Sequence, residues 1–145
     1  MKRFTNPDIG LLILRIGIGL SMALFHGFGK ISGGVEAWGR IGSNMSLFGI
    51  TFWPVFFGFM AAFAEFVGSI LIVLGLGFRT SCFLLACTMI VAAYVHLSLP
   101  PESAKAGWKG ASHALEFLTV YIALFLTGPG KYALDEKFQL LIRKR

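Results

Sequence analysis

Residues 60–79 read MAAFAEFVGSILIVLGLGFR, and a single acid, Glu65, stands inside this apolar run. No other charged residue lies within ten positions of Glu65 on either side. A charge at the centre of a bilayer costs about 2.5–3.5 kcal/mol on insertion scales, so such a group normally faces a partner or a cavity. The stretch therefore predicts a membrane-spanning helix that carries a buried polar site.

The composition of the whole chain also indicates that the protein lies in a lipid bilayer. The 145 residues are 56% hydrophobic and only 14% charged. A single domain of this length cannot hide so much apolar surface inside itself. The net charge of +6 is interpreted as membrane topology and attraction to anionic lipid, since no nucleic-acid-binding pattern accompanies it.

Four apolar segments are long enough to cross a bilayer. A hydrocarbon core about 30 Å thick needs ~20 helical residues at a rise of ~1.5 Å each, and lipid admits only helices or closed barrels. The predicted helices cover residues 9–28, 54–75, 80–99 and 111–128. We predict an all-α integral membrane four-helix bundle that forms one domain over residues 1–145.

The distribution of Lys and Arg predicts how the bundle is oriented. Eight of these residues fall at the end that carries both termini, and four fall at the opposite end. By the positive-inside rule both termini lie in the cytoplasm. A 25-residue loop, 29–53, then caps the outer end, and residues 131–145 form an amphipathic helix on the cytoplasmic surface.

The first helix offers Glu65 a partner. Arg15, Gly19, Met22 and His26 recur at helical spacing and share one stripe of that helix. Measured along the predicted helices, Arg15 lies about 9 Å and Glu65 about 15 Å from the same edge of the bilayer, a difference that the arginine side chain can span. We expect Arg15 and Glu65 to form a buried ion pair, whose first role is to fix the register of the two helices.

A second group of polar residues lies nearer the outer face: His26, Lys30, His96, His113 and Glu116. Such groups could hydrogen-bond a quinone head group and carry its proton as the ring is reduced. The alternative is an interfacial hydrogen-bond network around the outer loop, with His96 reaching towards the membrane surface.

Metal and thiol chemistry have less support. Helix bundles can hold zinc or iron, but paired Glu-x-x-His motifs are missing, and His113-x-x-Glu116 has the reverse order and occurs once. A b-type haem would need two facing histidines, for which His96 and His113 are the candidates. Cys82 and Cys87 point about 140° apart on a helix and cannot form a disulfide. We predict no metal and no intrinsic cofactor, with quinone as a candidate substrate.

Three stretches carry a family resemblance: LLILRIGIGLSMALFHGFGK at 11–30, AEFVGSILIVLGLGFRTS at 64–81 and SHALEFLTVYIALFLTGPGKYALD at 112–135. The matching features are the Leu-Arg of the first helix with its His-Gly and Lys, the Ala-Glu-x-x-Gly, the Gly-x-x-x-Arg exit turn, and the Gly-Pro-Gly-x-x-x-Leu-Asp exit. In this order and spacing they resemble the DoxX family of small four-helix membrane proteins over nearly the whole chain.

The resemblance implies a multi-pass protein of the prokaryotic cytoplasmic membrane. Characterised members of that family are linked to redox chemistry, among them a thiosulfate:quinone oxidoreductase and a membrane complex that works with superoxide dismutase. One functional class is therefore a subunit of a quinone-linked redox system that works with a partner oxidoreductase. The other is a non-catalytic scaffold, assembly factor or small-molecule carrier. Phe-rich faces would also permit a homodimer in the bilayer, which the sequence leaves open.

Overall fold

The computed structural model describes residues 6–135, and this part of the chain is helical without any strand. The helices, in chain order, are α1 (Pro7–Ile31), α2 (Gly34–Gly42), α3 (Pro54–Leu74), α4 (Phe78–Ser98) and α5 (Gly107–Thr127). All of them except α2 are long and apolar enough to cross a membrane. The prediction of an all-α fold with four membrane-spanning helices is confirmed.

The bundle has two ends that differ in character. At the end that we call the turn end, α1 begins, residues 75–77 join α3 to α4, and α5 finishes. At the opposite end, the loop end, lie residues 32–53 and 99–106. The cytoplasmic placement of the turn end stays a prediction. The amphipathic helix predicted for 131–145 falls outside the described residues from position 136 onward.

Three helices begin earlier than the apolar runs predicted, and α4 does so by two residues, at Phe78. α1 starts at Pro7, because the side chain of Asn6 caps the helix by accepting a hydrogen bond from the backbone N–H of Ile9 at 3.3 Å. α5 starts at Gly107, so its first turn includes Trp108 and a lysine that precede the apolar run. Polar first turns extend spanning helices beyond the hydrocarbon core, which hydropathy alone does not detect.

Large apolar side chains cover the outside of the bundle. Phe25 is 80% exposed, Leu126 71% and Ile13 66%. Water would penalise so many exposed apolar side chains, whereas lipid does not. The interior, by contrast, contains the charged side chains Arg15 and Glu65. The chain is a multi-pass membrane protein.

The segment predicted as a capping loop is largely helical. It contains α2 and a 3-10 segment, Ser43–Phe48, and α2 packs against the first turns of α3. A Cβ on Gly42 would overlap the carbonyl of Pro54, and a Cβ on Gly58 would overlap the carbonyl of Trp38. Only glycine permits backbones to approach so closely. These contacts fix α2 to the side of the bundle at the loop end.

Two π-helical turns, Ala23–Gly27 in α1 and Ala64–Gly68 in α3, pack against each other. Where they meet, a Cβ on Gly27 would lie 2.6 Å from the backbone of Glu65, so the two helices touch through their main chains. π turns are rare and occur frequently at functional sites. Glu65 therefore lies at a direct backbone contact between α1 and α3.

Candidate functional site

The charge of Glu65 is neutralised by a lysine. Glu65 is 1% exposed, and its Oε1 accepts a hydrogen bond from Lys30 Nζ at 2.6 Å. Lys30 lies in the last turn of α1, and its side chain is 34% exposed. Its long apolar stem lets the ammonium group reach inward from the loop end while part of the side chain stays near water.

The predicted ion pair between Arg15 and Glu65 is wrong. Both side chains are buried at 1% exposure, but among residues 6–135 the ion pair of Glu65 is with Lys30, and Arg15 has no acidic partner. Arg15 was predicted as the partner because its side chain is long enough to span the difference in depth. Lys30, near the other end of the same helix, also has a long side chain, and it reaches Glu65 from the loop end.

Arg15 instead joins three parts of the chain at the turn end. Its Nε donates to the carbonyl of Ile72 at 3.0 Å, its Nη2 to that of Val73 at 2.8 Å, and its Nη1 to that of Pro129 at 2.7 Å. Ile72 and Val73 belong to the last turn of α3, where carbonyls lack partners within the helix. The guanidinium fork therefore satisfies the end of α3 and holds the segment after α5 against it.

Glu65 and Lys30 form part of the wall of a cavity of about 420 Å³. The cavity lies between α3 and α4, and Ile41, Asn44 and Met45 complete its wall. The other lining residues are Phe57, Met60, Ala61, Ala64, Leu84, Cys87, Thr88, Val91, Ala92, Val95 and His96. A mainly apolar wall with a few polar groups, in a volume of roughly 300–1,000 Å³, is typical of small-molecule sites.

Three polar atoms in the middle of the bundle are buried without a hydrogen-bond partner from the described part of the chain: Glu65 Oε2, Ser69 Oγ and Tyr121 OH. Ser69 follows Glu65 by about one turn of α3, and Tyr121 belongs to α5. A buried polar atom without a partner costs about 1–3 kcal/mol, and more when it is charged. Glu65 also lines the cavity, and its Oε2 is the carboxylate oxygen that the described part of the chain leaves without a donor.

The five residues predicted to form one pocket lie in different places. Lys30 and His96 line the cavity, and His96 Nδ1 also lies 2.9 Å from the carbonyl oxygen of Lys105. Glu116 is exposed on α5 and makes no hydrogen bond or ion pair with any residue in the range 6–135. Whether any of these residues binds a ligand stays a prediction.

His26 and His113 form a separate contact between α1 and α5. Their Nε2 atoms lie 3.1 Å apart, and the ring of Phe117 packs edge-on against both imidazoles. Neither histidine lines the cavity. The five residues were grouped because they share a depth, but depth does not determine which face of a helix a side chain occupies. The pairing of His113 with His26 also differs from the facing pair of His96 and His113 that a haem would need.

On the α4 side of the cavity, His96 is the one lining residue that was predicted from the sequence. Cys87 and Thr88 line it, and they are polar residues in an apolar span, a signal that could have marked this face. Cys82 is buried and Cys87 exposed, both as free thiols. Over residues 6–135, no group of three or more His, Cys, Asp or Glu side chains could hold a metal ion.

Comparison with known proteins gives one match. The DoxX family model matches residues 10–97, which run from α1 almost to the end of α4. Every residue that lines the cavity lies in this range, whereas His113 and Glu116 lie outside it. No curated protein and no solved structure matches the chain.

Proposed function

The chain belongs to the DoxX family, and from that premise we propose that it is an integral membrane subunit of a quinone-linked redox system that works with a partner oxidoreductase. The observation that carries this proposal is the cavity of about 420 Å³, whose apolar wall contains the ion pair of Lys30 and Glu65. A quinone has matching chemistry, because its ring is apolar and its ring oxygens need hydrogen bonds.

The proposed roles follow from how a quinone is reduced. Conversion to the hydroquinone takes up two electrons and two protons. In this proposal the electrons come from the redox centre of the partner oxidoreductase. Lys30 donates a proton to one ring oxygen and is reprotonated from water at the loop end, since its side chain is 34% exposed. The other ring oxygen takes its proton from water, and Glu65 holds the ammonium group in position.

The location of the cavity adds support. It lies in a bundle whose outer face is apolar, so a lipid-soluble molecule can approach from the bilayer without crossing water. Prokaryotic cytoplasmic-membrane location, and a homodimer in that membrane, belong to the same proposal.

A photoreactive quinone analogue provides the test. The full chain in liposomes is labelled with and without excess unmodified quinone, and the labelled peptides are mapped. We expect competed labelling in the α3 segment 57–65 and the α4 segment 84–96. Labelling that is confined to lipid-facing residues such as Phe25, and that quinone does not compete, would overturn the site.

The partner is tested separately. Membranes that contain the protein are cross-linked, and the captured oxidoreductase is assayed for quinone reduction with and without this chain. Reduction that needs the chain supports the redox subunit. Quinone binding without such dependence would favour the alternative, a small-molecule carrier. The control for both tests is Glu36→Gln, which breaks an exposed acid–base pair with Arg40 on α2, away from the cavity.

A further inference from the structure

The two carboxylate oxygens of Glu65 have different surroundings. Oε1 accepts the hydrogen bond from Lys30 Nζ at 2.6 Å, whereas Oε2 is buried and has no partner within residues 6–135. The hydroxyls of Ser69 and Tyr121 are also buried, but neither makes a hydrogen bond with Oε2. Glu65 is thus a residue of the cavity wall whose carboxylate has one acceptor atom that residues 6–135 leave unused.

The chemistry of the missing partner follows from hydrogen-bond roles. A carboxylate that is paired with an ammonium group can only accept hydrogen bonds, so the group that completes it must be a donor. A ligand hydroxyl meets both needs of the pair, because it donates to Glu65 Oε2 and accepts from a remaining N–H of Lys30. A ligand carbonyl accepts from Lys30 but turns its lone pairs towards Oε2, which stays unpartnered.

We propose that the cavity selects the reduced, hydroxyl-bearing form of its ligand and binds a hydroquinone in preference to the corresponding quinone. This inference rests on the proposed function, since it specifies which redox form the same site holds. It does not depend on the identity of the ring substituents or of the isoprenoid tail, which meet the apolar part of the wall.

Such a preference changes the redox behaviour of the bound molecule. In a thermodynamic cycle, tighter binding of the reduced form makes reduction of the bound quinone more favourable. For a two-electron couple, a tenfold preference raises the midpoint potential by about 30 mV. The shift is in the direction that helps a partner oxidoreductase deliver electrons to a quinone in this cavity.

Three ligands test the proposal on the unaltered protein. Under anaerobic conditions in detergent, equilibrium binding is measured for a short-chain hydroquinone, its quinone, and its di-O-methyl ether, which keeps the ring but has no hydroxyl donor. We expect the hydroquinone to bind about tenfold more tightly than either of the others, because only it completes Glu65 Oε2. This comparison does not depend on whether any variant folds.

The outcomes separate this inference from the function on which it rests. If none of the three ligands binds, the quinoid site of the proposed function fails. If all three bind equally, the site stands and the preference for the reduced form is overturned. In Glu65→Gln, whose amide can both donate and accept, we expect the preference to fall to about threefold or less. Glu36→Gln should keep the full preference, because Glu36 lies outside the cavity wall.

Discussion

Arg15 and Glu65 are both buried in the same bundle, yet the protein satisfies them differently. Arg15 donates to three carbonyls at 2.7–3.0 Å, and the ring of Phe78 lies 5.7 Å from its guanidinium carbon. Glu65 has one lysine partner and one oxygen without a partner in the described range. A buried charge with all its partners supplied by the chain stabilises the fold. Glu65, which lines the cavity and has one unpaired oxygen in that range, is the charge that our proposal assigns to a ligand.

The surroundings of the two charges reinforce this difference. At the turn end, the segment after α5 is tied down: Lys131 pairs with Asp8 at 3.4 Å, and the backbone N–H of Asp135 donates to the carbonyl of Gly75 at 3.1 Å. Gly75 has a φ of 69°, and a Cβ there would lie 2.7 Å from Arg15 Nη2. The turn end is therefore closely packed around the guanidinium, whereas the loop half contains the cavity.

The largest expected effect on stability comes from replacing Arg15. Arg15→Met removes the donors to Val73 and Pro129 and one of the two donors to the carbonyl of Ile72, which keeps the backbone N–H of Gly75 at 3.1 Å. We expect the free energy of unfolding to fall by about 3–5 kcal/mol, measured by chemical denaturation in detergent micelles.

Arg79→Met is the matched control, because Arg79 lies at the same end of the bundle but is exposed, with its guanidinium 6.0 Å from the ring of Phe125. Its loss should cost less than about 1 kcal/mol. Equal losses in the two variants would mean that the carbonyl contacts of Arg15 do not hold the helices together.

A smaller effect on stability is expected from replacing Glu65. Glu65→Gln leaves Lys30 without its anion, but the lysine side chain is 34% exposed and can turn towards water. We expect a loss of about 1–3 kcal/mol, and the double variant Lys30→Met, Glu65→Gln should regain at least half of it. Denaturation of the wild type, both single variants and the double variant gives the coupling energy between Lys30 and Glu65.

A second double-variant cycle tests the corrected pairing. Because Arg15 and Glu65 have separate partners, the losses from Arg15→Met and Glu65→Gln should add to within about 0.5 kcal/mol. A coupling above about 1 kcal/mol would restore the direct ion pair that the structure replaces.

The sequence predicted the spanning helices and both buried charges because these depend on local composition. Residues 60–79 contain the acid and the small residues around it, and no distant contact is needed to recognise a span with a buried charge. The partners were not predictable in the same way. Arg15 is satisfied by the carbonyls of Ile72 and Val73, and every residue has a carbonyl, so side-chain patterns give no signal for such acceptors.

The cavity was predicted in part. Lys30 and His96 belonged to the expected polar group, and the small residues Ala61 and Ala64 mark the α3 side of the wall. The two π turns meet where Gly27 contacts the backbone of Glu65, a tertiary contact that helical periodicity does not encode. Equal depth alone did not show that His113 would contact His26 while His96 would line the cavity.

The smallest expected effect tests that regrouping. His113→Ala removes the 3.1 Å contact with His26, but His113 is exposed and His26 only partly buried. A hydrogen bond in this setting contributes about 1 kcal/mol net, so the loss of stability should be no larger than this. Since neither histidine lines the cavity, hydroquinone binding should change by less than about twofold, as for a surface substitution.

The control for this variant is Ser112→Ala, the adjacent exposed position, whose hydroxyl donates to the Lys109 carbonyl of its own helix at 2.9 Å. It should leave both stability and binding unchanged, and binding is measured with the same hydroquinone as for Glu65→Gln. If His113→Ala weakens that binding as strongly as Glu65→Gln does, the histidine pair and the cavity form one site. The sequence-based prediction, which placed the histidines and the cavity residues in one pocket, would then be correct.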